Sequence, residues 1–174
     1  MSYSPPDYHF DPKSIGIMSL NYLEMKIVYS GNHASMAWPA NNLAIYFPIC
    51  LSEKASFAGL WWAVGSTASG NACMGIYDEG GNRLQQTGIV AQSGTGLQLP
   101  AMTAFQLPRG RYWLGLVLST TAGTVRGWSS PTIGTDTAKW FAMAEETLGS
   151  TQIPATMTPV ATSRNPPIMG LMRV

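Results

Sequence analysis

Charge is the scarcest property of this 174-residue chain: Asp, Glu, Lys and Arg make up 11% of it, against about 25% in an ordinary globular protein. Ten basic and nine acidic residues leave a net charge of +1. They form no basic stripe, so no nucleic-acid partner is expected. No acidic run points to calcium. Cysteine is nearly missing. Cys50 and Cys73 have neither CxxC spacing nor histidine partners. They read as two small buried hydrophobes, able to pair if their strands are neighbours, and they leave the redox compartment open. No apolar run reaches the ~18 residues needed to span a bilayer, so membrane insertion is not expected. The opening residues, Met1-Ser2-Tyr3-Ser4-Pro5-Pro6-Asp7-Tyr8, lack the basic start and apolar stretch of a signal peptide. Folding in a cytoplasm, without export, is the expectation.

The groups that carry chemistry are equally sparse. The two histidines, His9 and His33, show no HxH or HExxH spacing. His9 lies between Asp7 and Asp11, but three ligands on an irregular segment are more often solvated than metal-bound. No GxSxG elbow marks a nucleophile. Serines in Gly-rich loops are explained by turn chemistry. Asp78-Glu79 and Glu145-Glu146 are adjacent carboxylate pairs. Neighbours on a strand point to opposite faces, so neither pair suits the two-carboxylate geometry of a glycosidase; a hairpin turn and a solvated helix face account for them. Ser69 to Gly75 contains glycines but no Walker lysine, and no GxGxxG opens a helix. The sequence therefore points to no catalytic residue, no cofactor and no metal.

What is present is a period of two. Leu43, Ile45, Phe47, Ile49 and Leu51 alternate, which places them on one face of a strand; Pro48 within that run implies an edge or a bulge. Phe57 to Val64 is apolar on both faces, as in a strand covered on two sides. Ala72 to Tyr77 is a further strand. Asp78-Glu79-Gly80-Gly81-Asn82 then turns, with Gly80 and Gly81 free to take positive φ, and Arg83 to Val90 returns. Leu97, Leu99 and Ala101 alternate after a Ser-Gly-Thr-Gly loop. Leu107-Pro108-Arg109-Gly110 turns into the clearest strand, with Tyr112, Leu114, Leu116 and Leu118 on one face and Trp113 and Val117 on the other. Thr124 to Trp128 is a shorter strand. Ala138 to Thr147 fits one or two helical turns with Trp140, Met143 and Ala144 facing inward. Residues 148 to 167 are a Thr- and Pro-rich loop, and Ile168 to Val174 is a terminal strand.

Residues 1 to 14 are rich in Pro, Tyr and Asp and read as an extended arm. Residues 15 to 29 fit a helical stripe or, through Leu23, Met25, Ile27 and Tyr29, an alternating strand; the all-β context favours strands, with Ser30-Gly31-Asn32 as a turn. The expectation is an all-β protein: a β-sandwich or jelly roll over 38–174, preceded by an arm and first strands over 1–37, with at most one short helix.

Six tryptophans remain to be placed: Trp38, Trp61, Trp62, Trp113, Trp128 and Trp140. Their rings suit a core or a subunit interface, or, lined up on an exposed face, the stacking of sugars. Neighbours such as Trp61 and Trp62 face opposite ways, so one or two tryptophans belong on an outer face. Tyr3, Tyr8, Trp38, Trp61, Trp62, Trp113 and Trp128 are the candidate interface or ligand residues.

From about Trp38 to residue 130 the chain resembles β-sandwich modules of tailed-phage virion proteins. The likeness lies in a strand ending in Tyr-Asp (Gly75-Ile76-Tyr77-Asp78), the Gly-Asn turn after it, and Leu107-Pro108-Arg109-Gly110-Arg111-Tyr112-Trp113-Leu114-Gly115-Leu116. That run is similar to a Leu-x-Pro-Gly-x-Tyr-Tyr-Leu-Ala-Leu strand, with Arg109 inserted between the Pro and the Gly. The same pattern occurs in carbohydrate-binding and adhesin modules. The resemblance implies a non-enzymatic structural protein on the virion surface, either a capsid decoration (cement) protein or a tail- or fibre-associated one. It would be assembled in the host cytoplasm, with copies of itself and other virion proteins as partners. A homo-oligomer is expected from the low-charge surface, its number open. Two other readings stand beside it. One is a host-attachment module that binds a glycan through exposed tryptophans; the other is a small hydrolase whose mark would be a pocket with converging His and carboxylate.

Overall fold

The computed structural model describes residues 33–128, 143–162, 164–165 and 167–174. These residues form thirteen strands and no helix. The first sheet holds β1 (His33–Ala37), β3 (Ala55–Val64), β7 (Gly96–Gln98), β8 (Phe105–Leu107), β10 (Thr124–Trp128) and β13 (Met169–Arg173). The second holds β2 (Leu43–Leu51), β4 (Asn71–Asp78), β5 (Arg83–Gln86), β6 (Val90–Ala91), β9 (Gly110–Leu118), β11 (Ala144–Thr147) and β12 (Val160–Ala161). All pairings are antiparallel. The sheets pack face to face, and the protein is a β-sandwich, as the alternation in the sequence implies.

The second sheet runs β12-β11-β2-β9-β4-β5, with β6 also on β4. Leu43, Ile45 and Ile49 of β2 point into the sandwich beside Leu114, Leu116 and Leu118 of β9 and Met74 and Ile76 of β4. Each fully buried side chain of this kind contributes about 1.5–3 kcal/mol. Pro48 is tolerated because β11 pairs with β2 only over Leu43 to Tyr46. Beyond that point β2 is locally an edge among the described residues.

β3 is the spine of the first sheet. Trp62 pairs with Gln98 of β7 and Met169 of β13, and Val64 with Gly96 of β7 and Val125 of β10. One edge of β3 therefore carries β7 and β8 end to end, and the other carries β13 and β10. A bulge skips Ala58, since Gly59 faces Met172 and Phe57 faces Arg173. The extra residue switches the alternation, so Phe57, Leu60, Trp62 and Val64 all reach the core. Trp61 points the other way and is still only 3% exposed. Its ring lies over Gly170, where an added Cβ would sit 2.8 Å from it; glycine is needed there for space.

Several details differ from the sequence reading. Ala144 to Thr147 is a strand and not part of a helix; residues 138–142 lie outside the described residues. In the turn after β4, Gly81 alone takes positive φ (84°), with the Asp78 side chain accepting from the Asn82 N–H at 2.8 Å. Cys50 is exposed, Cys73 is buried, and both are free thiols. The expected arm and the residue 15–29 strand lie outside the described residues.

Candidate functional site

The alternation that fills the core leaves Ala44 and Tyr46 (β2), Cys73, Gly75 and Tyr77 (β4), and Trp113, Gly115 and Val117 (β9) on the outer face of the second sheet. That face is apolar and it is covered. Ala44, Tyr46, Cys73, Tyr77 and Val117 form a second buried cluster with Ala144 and Ile153, and Trp113, Leu148 and Met157 pack against it. The cover is the irregular segment 148–159 between β11 and β12, which crosses the sheet as a strap.

Glycines make the seat for it. Gly75 and Gly115 face each other across the β4–β9 pair, and Gly115 also faces Tyr46. Ile153 drops into this hollow with no exposed surface. A Cβ on Gly115 would meet the Tyr46 ring at 2.7 Å and Ile153 at 3.0 Å, and one on Gly75 would meet Ile153 at 3.0 Å. Tyr46 and Tyr77 stand edge to face, their centroids 5.6 Å apart, a geometry that aromatic quadrupoles favour.

Polar groups fasten the strap along its length. The Asn42 carbonyl accepts from Leu148 N at 2.9 Å, and Thr151 Oγ1 bonds Asn42 Oδ1 at 2.9 Å. Asn42 itself has φ 56°. Arg83 donates Nη1 to the Ile153 carbonyl at 2.5 Å and its backbone N–H to the Ala155 carbonyl at 2.8 Å. Tyr77 Oη donates to the Pro154 carbonyl at 2.9 Å, and Met157 N to the Gly81 carbonyl at 3.0 Å. Glu146 accepts from Tyr46 Oη at 3.0 Å, from Thr158 N at 3.1 Å and from Thr158 Oγ1 at 2.7 Å. Gln152 donates to Gln86, and the Cys73 sulfur lies 3.9 Å from each of the two amides.

The electrostatics suit a fastening. Burial, then the neighbouring Tyr77 and Glu146, pushes the Tyr46 phenol well above the ordinary tyrosine range. Burial does the same to Tyr77, against an opposing pull from Tyr46 and Arg83. Burial also raises the Cys73 thiol. All three are held in their neutral forms near neutral pH, where a phenol or thiol is a poor base and a poor nucleophile. The carboxylate pair Glu145-Glu146 divides as its strand geometry requires: Glu146 serves the strap, and Glu145 takes Arg164 and Thr162. Among the described residues no group of three His, Cys, Asp or Glu is placed to hold a metal.

The aromatic candidates are scattered. Trp38 is buried, with Nε1 donated to the Leu43 carbonyl at 2.8 Å, beside a groove of about 480 Å³ that Arg164, already paired with Glu145, lines. Trp62 is in the core. Trp61 is buried on the outer face of the first sheet, and the indole N–H groups of both find no acceptor among the described residues. Trp113 is half-buried on the strapped face of the second sheet. Trp128 ends β10, opposite His33. Tyr3 and Tyr8 lie outside the described residues. The three tryptophans Trp38, Trp61 and Trp62 thus give their rings to the protein's own interior. Tyr46, Tyr77, Glu146, Arg83 and Ile153, which do converge, were not among the candidates. Their signal is a second apolar alternation, Ala44-Tyr46 and Trp113-Val117, on the face opposite the core set.

The fold and this face define the class: an antiparallel two-sheet sandwich with a strap over one outer face. Comparison with known proteins adds no family to it, for no family model, no curated protein and no solved structure matches the chain.

Proposed function

We propose that the chain is a non-enzymatic structural component of a tailed-phage virion. It sits on the particle surface as a capsid decoration or tail-associated protein and acts through contacts with its own copies and other virion proteins. The observation that carries the reading is the strapped face. The convergent polar groups of the described residues are spent on holding residues 148–159 down, and the phenols among them are kept neutral. A sheet packed on both sides is a stiff plate, which suits a protein whose work is to keep its shape among neighbours. The exterior fits that role: with 11% charged residues it is poorly defended against association, and Ile89, Leu99 and Val160 are exposed. The phage assignment itself rests on the likeness carried by Gly75 to Asp78 and Leu107 to Leu116. The glycan reading has less support, because Trp38, Trp61 and Trp62 offer no ring to a sugar.

Sedimentation of the full chain, alone and mixed with particles lacking it, tests the proposal. Self-association and saturable, stoichiometric rebinding are expected. A monomer that ignores the particles overturns the reading, and a glycan array comparing the wild-type chain with Trp113→Ala then becomes the next experiment.

A further inference from the structure

β1 closes one side of the first sheet. Trp38 N bonds the Gly123 carbonyl, and Gly65 N bonds the Thr124 carbonyl. Antiparallel alternation then turns the backbone groups of Ala34 and Met36 toward β10 and those of Ser35 and Ala37 away from it. Beyond them no strand follows among the described residues. Exposed edges are normally blunted by charge, proline, bulges or short length. Among the described residues the other free edges follow that rule. β6, β7, β8 and β12 have two or three residues each. β5 is bulged beside Arg83. β13 is bulged at Met172/Arg173, with Arg173 paired to Glu53. β1, with the sequence His-Ala-Ser-Met-Ala, has five residues and no Lys, Arg, Asp, Glu or Pro.

Chain outside the described residues begins at this edge. Residues 1–32 join β1 at His33, and residues 129–142 leave from Trp128, its register partner. Within the first of these, Leu23, Met25, Ile27 and Tyr29 alternate as a strand would, and Ser30-Gly31-Asn32 supplies a turn. We propose that the β1 edge is a strand-acceptor site and that its occupant is residues 23–29 of a neighbouring copy of this chain. Folded back on its own β1, the segment would make the same backbone bonds. Opening the three-residue turn transfers those bonds to a neighbour at little cost, which is the exchange of an identical element between protomers, and adds the contact between the two bodies. The inference rests on the assembly reading and names the joint that it requires.

Two variants of the full chain separate the sides of the joint. Ala37→Pro removes an N–H that faces away from β10 and leaves the bonds of Ala34 and Met36 intact, so the acceptor is lost and the fold is kept. Ile27→Lys spoils the donor. In sedimentation velocity the wild type associates, and each variant alone associates at least about tenfold more weakly, as expected for one or more lost hydrogen bonds and contacts. Mixed, the two variants form a heterodimer, because the intact donor of one meets the intact acceptor of the other. Should Ala37→Pro disturb the melting transition, Ala37→Lys replaces it. A mixture that stays monomeric refutes the exchange and leaves the segment to its own chain. A wild-type oligomer indifferent to both variants places the joint elsewhere, and the assembly reading survives. A monomeric wild type removes both.

Discussion

Replacing Ile153 with alanine tests the strap at its deepest point. The change removes three carbon atoms from a side chain with no exposed surface. At about 0.8 kcal/mol per buried methylene the transfer loss is about 2.4 kcal/mol. A cavity term adds to it, because the floor of the hollow is the backbone of Gly75 and Gly115, walled by Tyr46, and a sheet backbone cannot collapse inward. The total should be about 3–4 kcal/mol, inside the range seen for Ile-to-Ala changes in cores. For a domain of this size that lowers Tm by roughly 10 °C. Equilibrium urea unfolding gives the free energy directly. Native-state hydrogen exchange locates it, since the Arg83 and Met157 amides bond across to the strap and to the turn beneath it and should exchange faster. Leu99→Ala, at a 47% exposed position, is the control and should stay within about 0.5 kcal/mol of wild type. If Ile153→Ala matches the control and the two amides keep their protection, the strap is not what covers the outer face or stiffens the sheet.

Alkali and thiol reagents probe the same face. In the unfolded chain tyrosines ionise near pH 10, whereas burial keeps Tyr46 and Tyr77 protonated in the folded chain at that pH. Above pH 10 the folded state thus holds more protons than the unfolded one. The stabilisation is fully present below pH 10 and falls as pH rises, by about 2.7 kcal/mol per unit if both phenols stay protonated. Phenolate absorbance should show these two rings titrating with unfolding; smooth ionisation of every tyrosine in a still-folded chain would contradict it. A thiol reagent should find one reactive cysteine per native chain, the exposed Cys50, and two after denaturation. Rapid labelling of Cys73 in the native state would mean that the strap opens readily.

The sandwich was legible because β2 and β9 each alternate over nine residues, long enough for the period to outweigh local propensity. Their inner faces are the residues the pattern selects. The outer face was harder to read. Tyr46, Cys73, Tyr77 and Val117 are as apolar as the inner set, and nothing local in residues 148–159 tells that this Thr- and Pro-rich stretch lies over them. Ile153 is a single apolar residue in a polar loop, and its meaning comes from two glycines on distant strands. The helix expected over Ala138 to Thr147 gives way, in its described part, to a strand for a related reason. Met143 and Ala144 look like one helical stripe, yet as strand neighbours they point apart, Met143 into the core between the sheets and Ala144 into the strapped cluster. Tryptophan count was likewise a poor guide to binding, because the fold buries at least three of the six in itself.

The pairing of β13 with β3 also bears on the order of events during synthesis. β3 is made early, but Gly59 to Trp62 must wait for Met169 to Met172 to cover their edge, and β1 waits for β10. β13 emerges well after β3, at a ribosomal rate of about 5–20 residues per second. Over that interval β3, buried along most of its length in the folded protein, has an open side. Contacts this distant in sequence also form slowly, on the scale of milliseconds to seconds. The first sheet therefore cannot be completed until β13 has been made, and the nascent chain is at its most vulnerable in that interval.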